Sequence, residues 1–410
     1  MPRQRTDEAV TGTGVRSQPR GVLPALCLTQ IVSWGIVYYA FPVLLPRITA
    51  DTGWSASAAT AAFSGALLVS AVAGIPVGRA IDRQGPRAVM TTGSGLATLA
   101  LLAVAAAPSL WLFIAAWLLA GFAMAATFYH PAFAALTRWW GPNRVRALTV
   151  LTLAGGLAST VFAPATATLA GHLGWRATYA VLALVLALIT VPAHALALRA
   201  PWPPAPRAPA AARSPVQVVR SRPFLLLAAA LTLSGFAVYA VVIGLVPLLL
   251  ERGASASTAA WALGLGGAGQ TLGRTLYATL ARRTGTTART ATLIAAGGVT
   301  TGALALTPGP IPLLVVLAVF AGMVRGNLTL LQATAVSDRW GIADYGRLSA
   351  LLAAPVTIAA ALAPWAGAAL AGPLGGYPQV FAMLAVASAV AAVLALGTRV
   401  SATSAERPRS

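Results

Sequence analysis

The sequence predicts an all-α integral membrane protein with twelve transmembrane helices, arranged as two six-helix pseudo-symmetric repeats. Composition, hydropathy and an internal repeat all favour this fold class. Of 410 residues, 58% are hydrophobic and only 9% are charged, and the mean hydropathy is +0.79. Soluble domains carry about a quarter charged residues, so an ordinary soluble protein is excluded. The chain instead contains charge-poor stretches of the length that crosses a bilayer.

The apolar stretches predict the individual spans. Between the sixth and seventh spans the chain is rich in proline and arginine, which favours a linker of extended, hydrated backbone. We therefore expect a basic N-terminal tail over 1–20, a first half over 21–198, a linker over 199–222, a second half over 223–398 and a C-terminal tail over 399–410. The predicted spans are 22–46, 56–77, 88–107, 110–137, 147–171, 177–198, 223–250, 256–280, 290–307, 311–336, 348–371 and 378–398.

The basic residues determine the predicted orientation. All 28 are arginine, and 23 lie in the tails, the linker and the loops on the same side as the termini. Only Arg47, Arg176 and Arg252 lie on the opposite side. The positive-inside rule then places both termini in the cytoplasm. Because topology accounts for the net charge of +20, we expect no nucleic-acid partner. Short loops and arginine-only usage favour a bacterial cytoplasmic membrane, and we expect a monomer.

The two halves resemble each other at an offset of about 200 residues. Such self-similarity indicates a duplication, and parallel six-helix repeats place a binding site between the halves near the bilayer midplane. The matches in the first span are Ser33, Val37, Tyr38 and Pro46 with Ser234, Val238, Tyr239 and Pro247; later matches pair Gly121, Arg138, Trp139 and Arg146 with Gly322, Arg339, Trp340 and Arg347.

The loop after the second span carries a spaced motif, Gly78-x-x-x-Asp82-Arg83-x-Gly85-x-Arg87. In pattern and position it resembles the signature loop of the major facilitator superfamily. The resemblance implies a transporter fold and a cytoplasmic gate latched by this loop, with Asp82 reaching the other half near Arg347. The corresponding loop of the second half reads Arg282-Arg283-Thr284-Gly285, so we expect a one-sided latch.

Two arginines, Arg274 and Arg325, lie inside predicted spans, whose interiors contain no Asp or Glu. An unpaired buried cation costs several kcal/mol, which a bound anion offsets. A guanidinium also grips a carboxylate through two parallel hydrogen bonds. The alternative is that helix carbonyls, Gln270, Gln332 and cavity water satisfy both arginines as packing struts.

A polar face on the first span is the other half of the predicted site. Gln30, Trp34, Tyr38 and Phe41 recur at near-helical spacing, and the repeat supplies Tyr239. This face either lines the cavity or packs against another helix. The predicted substrate-binding set is Arg274, Arg325, Gln270, Gln30, Trp34, Tyr38 and Tyr239.

His130, next to Pro131 in the fourth span, is a candidate for carrying a coupling proton because histidine titrates near neutral pH. The alternative is a hydrogen-bonded structural role. The string Gly264-Leu265-Gly266-Gly267-Ala268-Gly269 matches a dinucleotide fingerprint, but it lies within a span, where small residues allow close helix packing.

No enzyme site is expected. The eight acidic residues and three histidines form neither a catalytic group nor a metal-ligand pattern, and we expect no cofactor. The single cysteine, Cys27, excludes an intrachain disulfide.

Within the superfamily, the chain looks most like the monocarboxylate transporters and oxalate/formate exchangers. Tyr38-Tyr39, Asp51-Thr52-Gly53-Trp54-Ser55 and Arg274 carry that resemblance, which implies that Arg274 binds a substrate carboxylate. Proton-coupled members carry an acid where this chain has Gln270, and a first-span lysine that it lacks. We expect a secondary transporter, symporter or antiporter, that moves a small organic anion by alternating access. The rivals are an exporter of hydrophobic drugs or sugars and a non-transporting receptor or scaffold.

Overall fold

The computed structural model describes residues 19–203, 215–340 and 345–399. Most of the two predicted tails and the middle of the linker lie outside these ranges. The described residues form twelve helical spans, numbered α1 to α12 in chain order. In the first half, α1 to α4 are Val22–Thr52, Ala56–Gln84, Pro86–Ala106 and Leu110–Trp140. Helix α5 begins with Arg144–Gly156 and continues into Ala158–Ala197. The backbone of Ala158–Ala197 bends at Gly174, and the part after this bend is α6. In the second half they are Arg222–Glu251, Ala256–Arg283, Thr286–Leu306, Ile311–Thr334, Tyr345–Leu374 and Tyr377–Leu396.

Nine helices within the described residues are long and apolar enough to cross a membrane. One of them, Arg146–Ala197, contains two spans because its backbone bends at Gly174, where φ is 72°. Helices α8 and α9 have span length, 28 and 21 residues, but are richer in Gly, Thr and Ser. The predicted twelve-helix fold is confirmed.

The two halves repeat the same helix pairings. In the first half α2 packs on α4 and α3 on α6, while in the second half α8 packs on α10 and α9 on α12. Helix α1 packs on α5 as α7 packs on α11. Each half therefore forms its own six-helix bundle, and one hydrophobic cluster extends across both.

Hydrogen bonds join the two halves of the molecule at several depths. We call the helix ends near Val22, Gln84 and Arg222 the termini face, and those near Thr52 and Glu251 the distal face. On the distal side of the midpoint, the Trp365 N–H donates to Ser64 Oγ at 3.1 Å, joining α11 to α2. The Thr160 hydroxyl donates to the Gly264 carbonyl at 2.8 Å, joining α5 to α8.

The linker differs from its predicted extended backbone. Pro201–Pro203 is non-helical, but Pro215–Val219 forms a short helix. Proline is tolerated in the first helical turn because its missing N–H has no intrahelical partner there, and no further proline follows until Pro223. The expectation of extended backbone is therefore wrong for this described part of the linker.

Candidate functional site

A cavity of about 130 Å³ lies between the two halves. Helices α1, α4 and α5 line it on one side, and α7, α8 and α10 on the other. Four aromatic rings and a glycine form the first-half wall: Trp34, Tyr38, Tyr39, Tyr129 and Gly155. The second-half wall carries the polar groups: Tyr239, Gln270, Arg274, Arg325, Thr329 and Gln332, with Val238, Val242 and Leu328. Among the described residues, the lining contains two cations and no carboxylate.

Arg325 presents an unused hydrogen-bond donor in this cavity. Its Nε donates to Gln270 Oε1 at 3.0 Å, which links α10 to α8. Its Nη2 is buried and has no protein partner among the described residues. A buried N–H without an acceptor loses its hydration without compensation, at a cost of about 1–3 kcal/mol and more for a charged group. The site therefore favours a ligand that supplies an oxygen acceptor here.

Arg274 has protein partners. It is only 7% exposed; its Nε donates to the Gly326 carbonyl at 3.3 Å, and its Nη1 donates to the Thr152 carbonyl. These contacts tie α8 to α10 and to α5 in the other half. Main-chain carbonyls thus satisfy part of this guanidinium, as the packing alternative expects. The structure brings Arg274 and Arg325 into the same cavity, as the sequence hypothesis requires.

Helix α1 presents its aromatic residues through a local change of winding. Trp34–Tyr39 is π-helical, a distortion often found at functional sites. The Tyr38 hydroxyl is buried and has no hydrogen-bond partner in the described part of the chain, so it is a second unused polar group in the cavity wall. Wider winding places Trp34, Tyr38 and the adjacent Tyr39 in one wall.

Two other members of the predicted α1 face are absent from the cavity lining. Gln30 is fully buried and donates to the Thr127 carbonyl at 2.7 Å, while its Oε1 accepts from Trp34 Nε1 at 3.1 Å. Gln30 therefore positions Trp34. Phe41 stacks on Phe63 with a centroid separation of 4.4 Å and belongs to the core.

A break in α4 brings Tyr129 into the cavity. Residues up to Thr127 are helical, Phe128 is extended with ψ of −160°, and a new helix starts at Tyr129. Trp34 stacks on Phe128 with 4.2 Å between ring centroids. Sequence reasoning missed Tyr129, although Pro131 was a signal because it deprives the helix of one donor.

Glycine at position 155 makes room for this tyrosine. A Cβ at Gly155 would lie 2.2 Å from the Tyr129 hydroxyl oxygen, well inside van der Waals contact. Gly156 makes room for Arg274, since a Cβ at position 156 would lie 3.2 Å from Arg274 Nη1. The Gly155-Gly156 pair therefore lets α5 approach the polar wall.

His130 does not share the cavity with Tyr129. Its side chain is exposed and is not part of the cavity lining. The proton-coupling role therefore stays a prediction, without a direct contact to the arginines in this conformation.

The glycine-rich string lies within α8 and packs against neighbouring helices. A Cβ at Gly267 would lie 2.1 Å from Ser159 Oγ, and one at Gly269 would lie 2.4 Å from the Val319 carbonyl oxygen. These close approaches agree with the packing interpretation.

Among the described residues, the signature loop contacts its own half. Asp82 Oδ1 lies 3.1 Å from Arg138 Nη2 at the end of α4, and the predicted contact near Arg347 stays a prediction. The side chain of Arg347 lies outside the described residues. The short connection at Gly85, with φ of 81°, keeps Asp82 beside α4. Arg87 Nε donates to the Ala195 carbonyl at 2.9 Å, whereas Arg83 is exposed and Gly78 has open space around its Cα.

The linker packs on this loop through Trp202. Its Nε1 donates to the Asp82 carbonyl at 3.2 Å, and its ring lies 4.7 Å from the Arg138 guanidinium carbon. Trp139 Nε1 in turn donates to the Pro201 carbonyl at 3.1 Å. The beginning of the linker is therefore fastened to the termini face of the first half.

On the termini face of the second half, a different pair of residues forms the ion pair. Arg289 at the start of α9 pairs with Asp338, which follows α10. Neighbouring Arg339 donates to the Thr290 and Thr398 hydroxyls at 2.9 and 3.2 Å. Burial lowers the pKa of Arg339 to about 10, which still leaves it charged near neutral pH. In the second half, the acid of this ion pair therefore follows α10 and does not lie in the loop between α8 and α9.

Comparison with known proteins agrees with the fold and the resemblance. The chain is 34% identical over 222 residues to human monocarboxylate transporter 11, covering 52% of this chain and 45% of the relative. It is 30% identical over 253 residues to monocarboxylate transporter 13 of Bos taurus, covering 61% and 57%. The aligned part spans about half the length of these curated relatives. The predicted resemblance to monocarboxylate transporters is confirmed.

Solved structures share the whole fold. A bacterial homologue of the human lysosomal transporter Spinster, in an inward-facing and occupied conformation, matches with a TM-score of 0.74 at 16% identity, covering 91% of this chain and 95% of that one. The nucleoside transporter NupG matches with a TM-score of 0.71 at 14% identity, covering 92% and 98%.

The sequence profile of the Major Facilitator Superfamily matches residues 26–312 and 250–410. These matches confirm the prediction of a multi-pass membrane transporter rather than an enzyme. The chain belongs to the Major Facilitator Superfamily.

Proposed function

We propose that this protein is a secondary transporter of small organic anions that carry a carboxylate, moved by alternating access around the cavity between the halves. The single observation that carries the proposal is the buried, unpartnered Nη2 of Arg325 in a cavity with a second arginine and no carboxylate in its lining. The similarity to proteins named monocarboxylate transporters supports the same substrate class.

The chemistry of the site favours an anion in three ways. Arg325 offers a charged donor, and charge-assisted hydrogen bonds are about twice as strong as neutral ones. The nearby charge of Arg274 adds attraction, because charges interact more strongly in the protein interior than in bulk water. The Tyr38 hydroxyl supplies a further unpartnered polar group. A cationic drug would meet two like charges and no counter-charge in this lining.

The proposed binding set contains the predicted residues Arg274, Arg325, Gln270, Trp34, Tyr38 and Tyr239 together with Tyr129. In it, Arg325 is the primary carboxylate ligand. Arg274 supplies charge while it holds α5 and α10 to α8. Gln270 orients Arg325 by accepting from Nε.

The test is a binding panel of matched acids and amides on purified protein: acetate with acetamide, and lactate with lactamide. We expect the wild type to prefer each acid over its amide, and Arg325→Gln to weaken acid binding about 10- to 100-fold, the value of one charge-assisted hydrogen bond. Arg282→Gln, an exposed arginine at the end of α8, is the matched control and should bind like wild type. A wild-type preference for amides or cations would refute the proposal.

Transport itself separates the remaining alternatives. In liposomes that contain unlabelled acid, the protein should take up a radiolabelled acid that it binds in the panel. A receptor or scaffold would bind the acid without flux, and an exporter of drugs or sugars would show flux only with those compounds.

We also propose that both termini face the cytoplasm of a bacterial cytoplasmic membrane and that the protein works as a monomer. The 23 arginines on the termini side against three on the other support this orientation. Reporter fusions at the two ends test it: alkaline phosphatase should be inactive and a fluorescent protein bright at both.

A further inference from the structure

A second cavity lies inside the second half, next to Arg325. It measures about 40 Å³ and is enclosed by α7, α8, α9 and α10. We call it the apolar compartment because valine, leucine and isoleucine side chains make most of its wall. Among the described residues, Val238, Arg325 and Leu328 line both the apolar compartment and the central cavity. The two cavities therefore adjoin at these three residues.

We propose that the apolar compartment binds the hydrocarbon tail of the substrate, so that the preferred substrates are short branched aliphatic monocarboxylates rather than small polar acids such as lactate. This inference rests on the proposed function, because it needs Arg325 to hold the carboxylate. Arg325 then lies between two environments: its guanidinium faces the anion site, and hydrocarbon side chains surround it on the other side.

The size of the compartment limits the tail. A water molecule needs about 10–15 Å³ of such volume, so 40 Å³ holds about three groups of water or methyl size. An apolar cavity of this kind has few partners for water, and filling it with methyl groups removes apolar surface from water at both partners. Each added carbon should therefore tighten binding about fourfold until the space is full.

The far wall of the compartment explains why longer tails should gain no more. Leu293, Thr300 and Val324 line the compartment and also line a groove on the outer surface between α8, α9 and α10. That groove contains Val299, which is 71% exposed, so it faces lipid. An acid with more than about three carbons beyond the two of acetate would have to displace the side chains of this wall.

The experiment measures the dissociation constants of the wild-type protein for acetate, isobutyrate, isovalerate, octanoate and their primary amides by titration calorimetry. We expect acids to bind tighter than amides, and affinity to rise about fourfold per carbon from acetate to isovalerate. Octanoate should bind no tighter than isovalerate.

Two variants change the compartment in opposite directions. Ala321→Leu, on α10, adds three carbons to its lining and should abolish the gain for isovalerate while leaving acetate binding within twofold of wild type. Val241→Ala, on α7, enlarges it and should shift the best acid to one with one or two further carbons. Ala389→Leu makes the same chemical change as Ala321→Leu at an exposed position on α12 and should bind like wild type.

The outcomes separate the two proposals. Equal binding of acetate and isovalerate, with both preferred over their amides, would overturn the tail site and leave the anion site standing. No preference for acids over amides would overturn the proposed function itself. An unchanged isovalerate gain in Ala321→Leu, or a loss of acetate binding together with it, would also overturn the tail site. If Ala321→Leu does not fold, the direction of the shift in Val241→Ala decides.

Discussion

Asp82 and Arg138 form an ion pair within the first half, with 3.1 Å between Asp82 Oδ1 and Arg138 Nη2. The superfamily's signature loop is thus bound to the end of its own α4 in this conformation. Hydrogen bonds between the halves lie elsewhere, at Ser64 with Trp365, at Thr160 with Gly264 and at Thr152 with Arg274. This arrangement predicts separate effects for loop variants and interface variants.

The first prediction concerns Asp82→Asn. We expect it to leave the distance between the halves unchanged in this conformation, because its partner Arg138 belongs to the same half. The stability loss should stay below about 1 kcal/mol, since the Asp82 side chain is 66% exposed and solvent screens the pair. Electron-spin distance measurements between labels on α2 and α11 report the separation. Asp338→Asn, which removes the acid that pairs with Arg289, is the control. A longer distance only in Asp82→Asn would support a latch between the halves.

The second prediction concerns Trp202. Trp202→Ala removes a hydrogen bond to the Asp82 carbonyl, a cation–π contact with Arg138 and an edge contact with Trp139. Together these should cost about 2–3 kcal/mol. Thermal unfolding in detergent measures the loss. Trp111→Ala is the matched control because Trp111 is 79% exposed, and an equal loss in both variants would contradict the fastening of the linker.

The third prediction concerns Gly155. A methyl group at this position would lie 2.2 Å from the Tyr129 hydroxyl oxygen, so Gly155→Ala should push Tyr129 into the cavity. We expect acid binding to weaken at least about 10-fold, the effect of losing about 1.4 kcal/mol, with a smaller effect on thermal stability. Gly74→Ala provides the control, since no atom lies within 4 Å of its Cβ position. Unchanged binding in Gly155→Ala would remove Tyr129 from the site.

The fourth prediction concerns Arg274→Lys. An ammonium cannot reach the carbonyls of Thr152 and Gly326 together as the guanidinium fork does. We expect a loss of about 2 kcal/mol in stability, from one lost charged hydrogen bond, and weaker acid binding. The affinity loss should be smaller than in Arg325→Lys. Calorimetric binding and thermal unfolding of both variants check this order, and the reverse order would make Arg274 the primary ligand.

The fifth prediction concerns His130. If His130 carries the coupling proton, His130→Gln should abolish the pH dependence of acid uptake between about pH 5 and 8, the range in which histidine titrates. Liposome uptake across this range is the measurement, with His172→Gln as the control. Loss of the titration in His130→Gln alone would establish His130 as the proton carrier.

Features that depend on composition and on order along the chain could be predicted from the sequence. Bilayer thickness relates the length of a charge-poor stretch to a span, so twelve helices could be predicted, and a duplication leaves matching residues at a fixed offset. Arg274 and Arg325 stood out as candidates because charge inside a span is costly wherever the helix packs.

Which side chains meet depends on how the helices pack in the folded protein. Whether Gln30 faces the cavity or a neighbouring helix depends on the rotation of α1, and the π-helical winding at Trp34–Tyr39 changes that rotation locally. The contribution of Tyr129 depends on a break at Phe128 that no periodicity encodes. The partner of Asp82 depends on which helix end lies nearest in space, and Arg138 is 56 residues away in sequence. Such contacts arise from packing between distant segments, so a local pattern cannot specify them.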